Sequence, residues 1–310
     1  MKATVYFGRS ENGGALLLTL WCVAVLSLTI VLVARIVSSD VDTESMRSRR
    51  FEARELALTG LAYGMNPALK KDSELFHQKF PDGRSLDVRI LSESARPNIN
   101  LLLKEQDHHT LKKLFTLWEI PDLERSVAID SLVDWTDPDS LRQLNGAERD
   151  DLLNQTKYSL PKNRDFRSVE EVERVRGMDS IERAVPGWKD YFSVYSGNKL
   201  DIQGAVPEIL EVVAGLTKEQ AELLQKWRNG PDGQEGTDDD YQIKNLDEVV
   251  ARLGLPGTAR EALLAAFQVG GEPSRIESTA RVGGAQYRIT VVIDRQKARA
   301  GQGIIHWGEG

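Results

Sequence analysis

Residues 15–34, ALLLTLWCVAVLSLTIVLVA, contain no charge, no glycine and no proline. At about 1.5 Å per residue a helix of this run is about 30 Å long, the thickness of a bilayer's hydrocarbon core. The run is apolar all round, whereas a helix on the surface of a soluble protein shows a polar face. A secretory signal would have an apolar region of only about 7–15 residues followed by small residues at a cleavage site. Here the run is longer and continues into RIVSSDVDTESMRSRRFEARELALTGLAY, which has no glycine or proline until Gly60. The run therefore reads as a membrane-spanning helix that continues to about Ala62. A polar segment ending in Gly13-Gly14 precedes it, and a cut between Gly14 and Ala15 is one way of processing it. Lys2 and Arg9 against Glu11 give a weak positive-inside signal, which keeps the N-terminus cytoplasmic and the bulk of the chain outside.

A chain of 310 residues, 41% of them hydrophobic, can bury a sizeable core outside the membrane. Its net charge of −7 speaks against nucleic acid as a partner, because binding phosphate needs a basic surface. The single cysteine, Cys22, lies within the apolar run, so the exported part has no disulfide to stabilise it.

RSLDVRILSES (84–94) alternates apolar and polar residues and reads as a half-buried strand. RIESTARVGGAQYRITVVID (275–294) reads as a hairpin turning at Gly283-Gly284, a dipeptide that supplies positive φ angles. A long helix with strands drawn from distant segments makes an α+β domain. Phe51, Leu58 and Leu61 are the stripe expected to pack on its sheet. The stretch between Pro97 and Pro273 is then an insertion. It is helical by its i, i+3/i+4 apolar spacing and reads as two helical-hairpin modules, each leading to an acidic loop.

The first loop, DWTDPDSLRQLNGAERDD, gathers Asp134, Asp137, Asp139, Glu148, Asp150 and Asp151, opposed by Arg142 and Arg149. Carboxylates crowded on one loop repel each other unless a hard cation sits among them, and calcium takes about six to eight oxygens from flexible loops of this kind. The plain alternative is a solvated loop whose aspartates cap helices and turns. The second loop, NGPDGQEGTDDDYQI, holds Asp232, Glu235, Asp238, Asp239 and Asp240 among Gly230, Gly233 and Gly236, without the spacing of an EF-hand. His108-His109 read as a helix cap, since adjacent helical residues diverge by about 100°. No catalytic grouping is present in a plausible context, so the chain is not expected to be an enzyme.

Taken together, the leader ending in Gly13-Gly14, the DWTDPDSLRQLNGAERDD segment followed by PKNRDFRSVEEVERVRGM and YFSVYSGNKLDIQ, and the closing STARVGGAQYRITVVIDR resemble the K-type minor pseudopilins of the bacterial type II secretion system. The resemblance spans residues 14–295. It implies a prepilin-type leader at 1–14, cleaved after Gly14 by a prepilin peptidase, with methylation of the new N-terminal Ala15. It implies a membrane helix at 15–34 and a pseudopilin α+β domain at 35–95 and 273–296. The helical modules fall at 96–200 and 201–272, and a tail at 297–310. Most pseudopilins carry Glu at mature position five; here that position is Thr19, and the K type is the one that usually lacks the Glu. The implied role is at the tip of the pseudopilus with the I and J types, in export of folded proteins. The implied setting is the inner membrane, with the bulk of the chain in the periplasm and calcium in the insertion. The rival reading is a membrane-anchored DNA receptor with helix-hairpin-helix modules, suggested by VRGM and LGLPGT and opposed by the acidic surface. Coexpression with a prepilin peptidase is expected to give a mature chain starting at Ala15, and Gly14→Ala to block the cut. An intact mass retaining Met1, or a cut after Ala34, would exclude the prepilin reading.

Overall fold

The computed structural model describes residues 12–69, 73–105, 108–233, 235, 239–298 and 303–310. Most of the expected leader therefore lies outside the described residues. Helix α1 (Asn12–Met65) is continuous over 54 residues, about 80 Å. Within it Leu16–Val33 is long and apolar enough to cross a membrane, and none of it is buried against the rest of the protein. Thr19 keeps its hydroxyl satisfied inside the helix by donating to the Leu16 carbonyl at 2.9 Å.

The far half of α1 lies across an antiparallel sheet of β1 (His77–Lys79), β2 (Ser85–Ser92), β5 (Ser274–Val282), β6 (Ala285–Ile293) and β7 (Ile304–Glu309), in that spatial order. The sheet's buried side chains include Leu86, Val88, Ile276, Ile289, Val291 and Ile293. Those of the helix are Ala53, Ala57 and Leu61. The expected stripe is corrected here: Leu61 is buried, but Phe51 is 66% exposed and Leu58 only half-buried. The contact face is made of small residues because the helix approaches the strands closely. A Cβ added at Gly60 would lie 2.4 Å from Ser278 Oγ and 2.6 Å from Leu86 Cδ1. Ser278 Oγ donates to the Ala57 carbonyl at 2.7 Å.

The β5–β6 hairpin turns at Gly283 (φ 50°) and Gly284 (φ 89°), the two positive φ angles of a type I′ turn. The stretch expected to be a tail instead supplies β7, which extends the sheet beside β6. Glu309 of β7 binds Arg54 of α1 at 2.8 and 2.9 Å and accepts from Trp307 Nε1 at 2.9 Å. Hydrogen bonds from Arg54, Tyr287 and Trp307 hold the Glu309 carboxyl down at about 2.

Between β2 and β5 the chain forms α2 (Ile99–Leu103), α3 (His109–Leu117), α4 (Asp122–Thr136), α5 (Arg149–Leu152), α6 (Val169–Val172), α7 (Met178–Ala184), β3 (Leu200–Asp201), α8 (Pro207–Ala214), α9 (Lys218–Arg228), α10 (Leu246–Leu253), α11 (Gly257–Ala266) and β4 (Phe267–Gln268). A short α12 (Arg295–Ala298) joins β6 to β7. The two expected helical modules share one apolar core, running from Ile99 and Leu111 through Trp188 and Ile209 to Phe267. Parallel pairing of β3 with β4 also joins the start of the second module to its end.

The insertion leaves and returns at one end of the sheet, where Ser92 pairs with Ser274. At the other end Arg49 donates to the Gly283 carbonyl at 3.1 Å, while Gly64 packs against Ile276. The hairpin turn therefore faces the apolar half of α1, and the insertion stands at the remote end. From Val33 to Gly64 the helix rises about 45 Å.

Gly60→Ala gains helix propensity of about 1 kcal/mol but forces a methyl into the α1–sheet contact, at an expected cost of about 1–3 kcal/mol. Thermal unfolding is expected to show a lower Tm for Gly60→Ala and none of this loss for Gly257→Ala, whose Cβ would meet open space.

Candidate metal centre

Helix α4 places Asp130 and Asp134 one turn apart on one face, and both bind the loop that follows. Asp134 Oδ1 accepts from the Gln143 amide at 2.9 Å. Asp130 Oδ2 accepts from the Asn145 amide at 3.0 Å and its side-chain amide at 2.9 Å. The helix stops at Asp137, whose extended backbone (φ −69°, ψ 156°) leads into Pro138, which cannot continue a helix. Arg176 Nη1 donates to the Gly146 carbonyl at 2.8 Å, tying the loop to the turn before α7. Glu148 then caps α5, its amide donating to Asp151 Oδ2 at 3.0 Å.

The fold brings Asp134, Asp137 and Glu148 together, with one carboxylate oxygen of each within 4.8 Å of the others. Asp134 Oδ2, Asp137 Oδ1 and Glu148 Oε1 are buried and, among the described residues, meet no hydrogen-bond donor. Asp134 is wholly buried. Burial pushes its carboxyl up, against the pull of the Gln143 and Ala147 amides. Burial also raises Asp137, to about 6, with Asp139 and Asp134 adding repulsion. Glu148 is raised by the same two causes, burial first and its acidic neighbours after. Gly146 is required here, because a Cβ would lie 2.0 Å from Asp134 Oδ2.

A hard divalent cation fits these residues. The donors are oxygens, they converge, and they are left unsatisfied by the protein itself, a costly state for buried polar atoms. Three carboxylates suit calcium, which fills the rest of its shell from carbonyls and water.

The remaining acids of this loop do other work. Asp139 is exposed and closes a turn by accepting from the Leu141 amide at 2.7 Å. Asp151 pairs with Arg142 at 3.1 Å and completes the cap on α5. Asp150 is exposed on α5 and outside the cluster. Asp130, which holds the loop, was not among the expected residues; its place one helical turn before Asp134 was the available signal.

In the second loop the Asp239 carboxylate accepts from the Asp232 amide at 3.0 Å, and Gly230 (φ 65°) passes close to it. Glu235 lies against Gly204, and Asp240 is half-buried. Asp238 lies outside the described residues. Among the described residues, this loop forms no group of three converging carboxylates, and neither do His108 and His109. Gly14 and Ala15 lie within α1.

Residues 95–184, which contain the whole candidate centre, match the family described as Type II secretion system (T2SS), protein K. No curated protein matches the sequence. Among solved structures the fold is similar to a chain in the crystal structure of the GspK-GspI-GspJ complex from the enterotoxigenic Escherichia coli Type 2 Secretion System. The TM-score is 0.54 at 16% identity, covering 87% of this chain and 96% of that one. The likeness to the type II secretion system protein K family is thus carried by the helical insertion, and the fold over most of the chain is like that of the matched structure.

Proposed function

We propose that the chain is the terminal subunit of a pseudopilus, anchored in the inner membrane with its bulk in the periplasm. There it assembles with I- and J-type minor pseudopilins in the tip complex and acts in the export of folded proteins across the outer membrane. The observation that carries this reading is the position of the insertion, at the end of the sheet remote from the membrane helix. A further subunit stacked above would meet a helical domain there instead of a free sheet and helix end. Thr19 supports the same reading: with no carboxylate at mature position five, the subunit offers nothing there to receive the N-terminal amine of a neighbour above it. Prepilin peptidase acting at Gly14 belongs to this reading too. The full chain in detergent is expected to co-purify with I- and J-type partners from the same secretion locus. Failure to bind either would remove the tip assignment.

Asp134, Asp137 and Glu148 would hold calcium as a structural staple. The ion would neutralise three carboxylates, each with a buried oxygen that lacks a partner, and fix the α4–α5 loop. An ion bound only by the folded state stabilises it by RT ln(1 + [L]/Kd), about 2.7 kcal/mol at a hundredfold excess over Kd. A chelator is therefore expected to lower the Tm of the full chain in detergent by several degrees. Calcium should restore it better than magnesium, which demands tighter octahedral geometry. Asp137→Asn and Gly146→Ala should each abolish most of that response. Identical melting in chelator and in millimolar calcium would refute the metal.

A further inference from the structure

The two acidic loops differ in one respect that their compositions hide. Among the described residues, no basic side chain forms an ion pair with Asp134, Asp137 or Glu148 of the first loop. The second loop is folded around an arginine. Arg228, the last residue of α9, is 2% exposed. Its Nη1 donates to the Ile202 carbonyl at 2.9 Å and its Nε to Asn229 Oδ1 at 3.4 Å. The Tyr241 amide donates to the Arg228 carbonyl at 2.8 Å, so the loop starts and finishes at this residue.

Three carboxylates act on it through their charge. Asp201 on β3 is 4% exposed, and it is oriented by the amides of Gln203 and Gly270 at 3.0 and 2.9 Å. Glu235 reaches the turn after β3, where a Cβ on Gly204 would lie 3.4 Å from its Oε1. That turn begins at Ile202, whose carbonyl holds the guanidinium. Asp240 immediately precedes Tyr241, where the loop closes. Burial pulls the Arg228 guanidinium down, and the charges of Glu235, Asp201 and Asp240 oppose it. A buried guanidinium without anions would be strongly destabilising, so these acids and this arginine require each other.

We propose that Arg228 is the resident cation of the second acidic loop, which closes on the protein's own guanidinium where the first loop is built for a metal ion. The inference goes beyond the proposed role at the pseudopilus tip and does not depend on it. It makes the second half of the insertion independent of calcium and assigns the calcium response to the first half alone.

The sign of a substitution decides the matter. In the full chain in detergent, with chelator present, the double variant Glu235→Gln/Asp240→Asn should melt about 4 °C or more below the unmodified protein. It removes anions that a buried arginine needs. Acids that only repel one another would give the opposite result, and an unchanged or raised Tm overturns the proposal. Isothermal titration with calcium gives the second readout. The double variant should bind as many ions as the unmodified chain, and loss of an ion in it overturns the proposal. Arg228→Lys, which keeps the charge, should melt above Arg228→Met, and the reverse order counts against it. The carboxylate variants keep the test intact should Arg228→Met fail to fold.

Discussion

A single buried carboxylate holds the two halves of this protein in one arrangement. Glu93 follows β2 at the point where the chain leaves the sheet, and it is wholly buried. Its Oε1 accepts from Ser193 Oγ, in the insertion, at 2.6 Å, and its Oε2 from Arg275 Nε, on β5, at 2.6 Å. Arg96 stands at 3.9 Å, and Asp190 lies beside both arginines. Backbone bonds run alongside. The amides of Glu93 and Ser94 donate to the Pro273 carbonyl, and Ile99 and Ser193 bind across the neck of the insertion. A buried ion pair adds little to stability relative to a well-packed apolar contact, but losing one partner leaves a desolvated charge, at a cost of about 3–5 kcal/mol. The function of this cluster is therefore orientation. It keeps a large helical domain in register with the sheet and with the anchor beyond it.

The anchor itself is one helix with two surfaces. Leu16–Val33 is exposed, predominantly apolar and long enough to cross a membrane. Beyond Arg49 its inner face becomes alanine and glycine, and its partner is a sheet that approaches to the limit set by a missing Cβ at Gly60. No glycine or proline interrupts the stretch between these two environments, and the helix is continuous across it. Glu93 couples that sheet to the insertion, which carries the candidate metal centre.

The parts of this fold that were legible in sequence are those encoded locally. The length of the apolar run set α1, alternation at Leu86, Val88 and Ile90 set β2, and the Gly283-Gly284 dipeptide set the β5–β6 hairpin. β1 and β7 were not legible, since an edge strand of three to six residues carries too few alternations to stand out from a loop. The single core of the insertion was hidden for another reason. Trp188 and Phe267 meet residues far away in sequence, and periodicity describes only which face a helix buries, not which neighbour covers it. For the candidate centre, composition identified the loop but not which acids converge. Asp139, Asp150 and Asp151 have the same chemistry as Asp134 and Asp137, and only the backbone path that turns them toward amides, Arg142 or solvent separates them. Phe51 misled because its size suggested a core position, whereas the close helix–sheet approach admits only small side chains.

The latch between Arg54 and Glu309 joins residues 255 positions apart, and the Glu93–Arg275 bond spans 182. Closing a loop of that length costs chain entropy that grows as (3/2)RT ln n. The insertion escapes most of that cost because its own contacts are more local and its two ends lie side by side where Ser92 pairs with Ser274. Folding it first shortens the effective loop between β2 and β5 to a few residues, which saves about 2–3 kcal/mol of closure entropy. Helix α1, β1 and β2 precede the insertion in the chain and β5, β6 and β7 follow it. The domain at the end of the sheet remote from the apolar run is thus also the one whose own folding brings the two halves of that sheet within reach of each other.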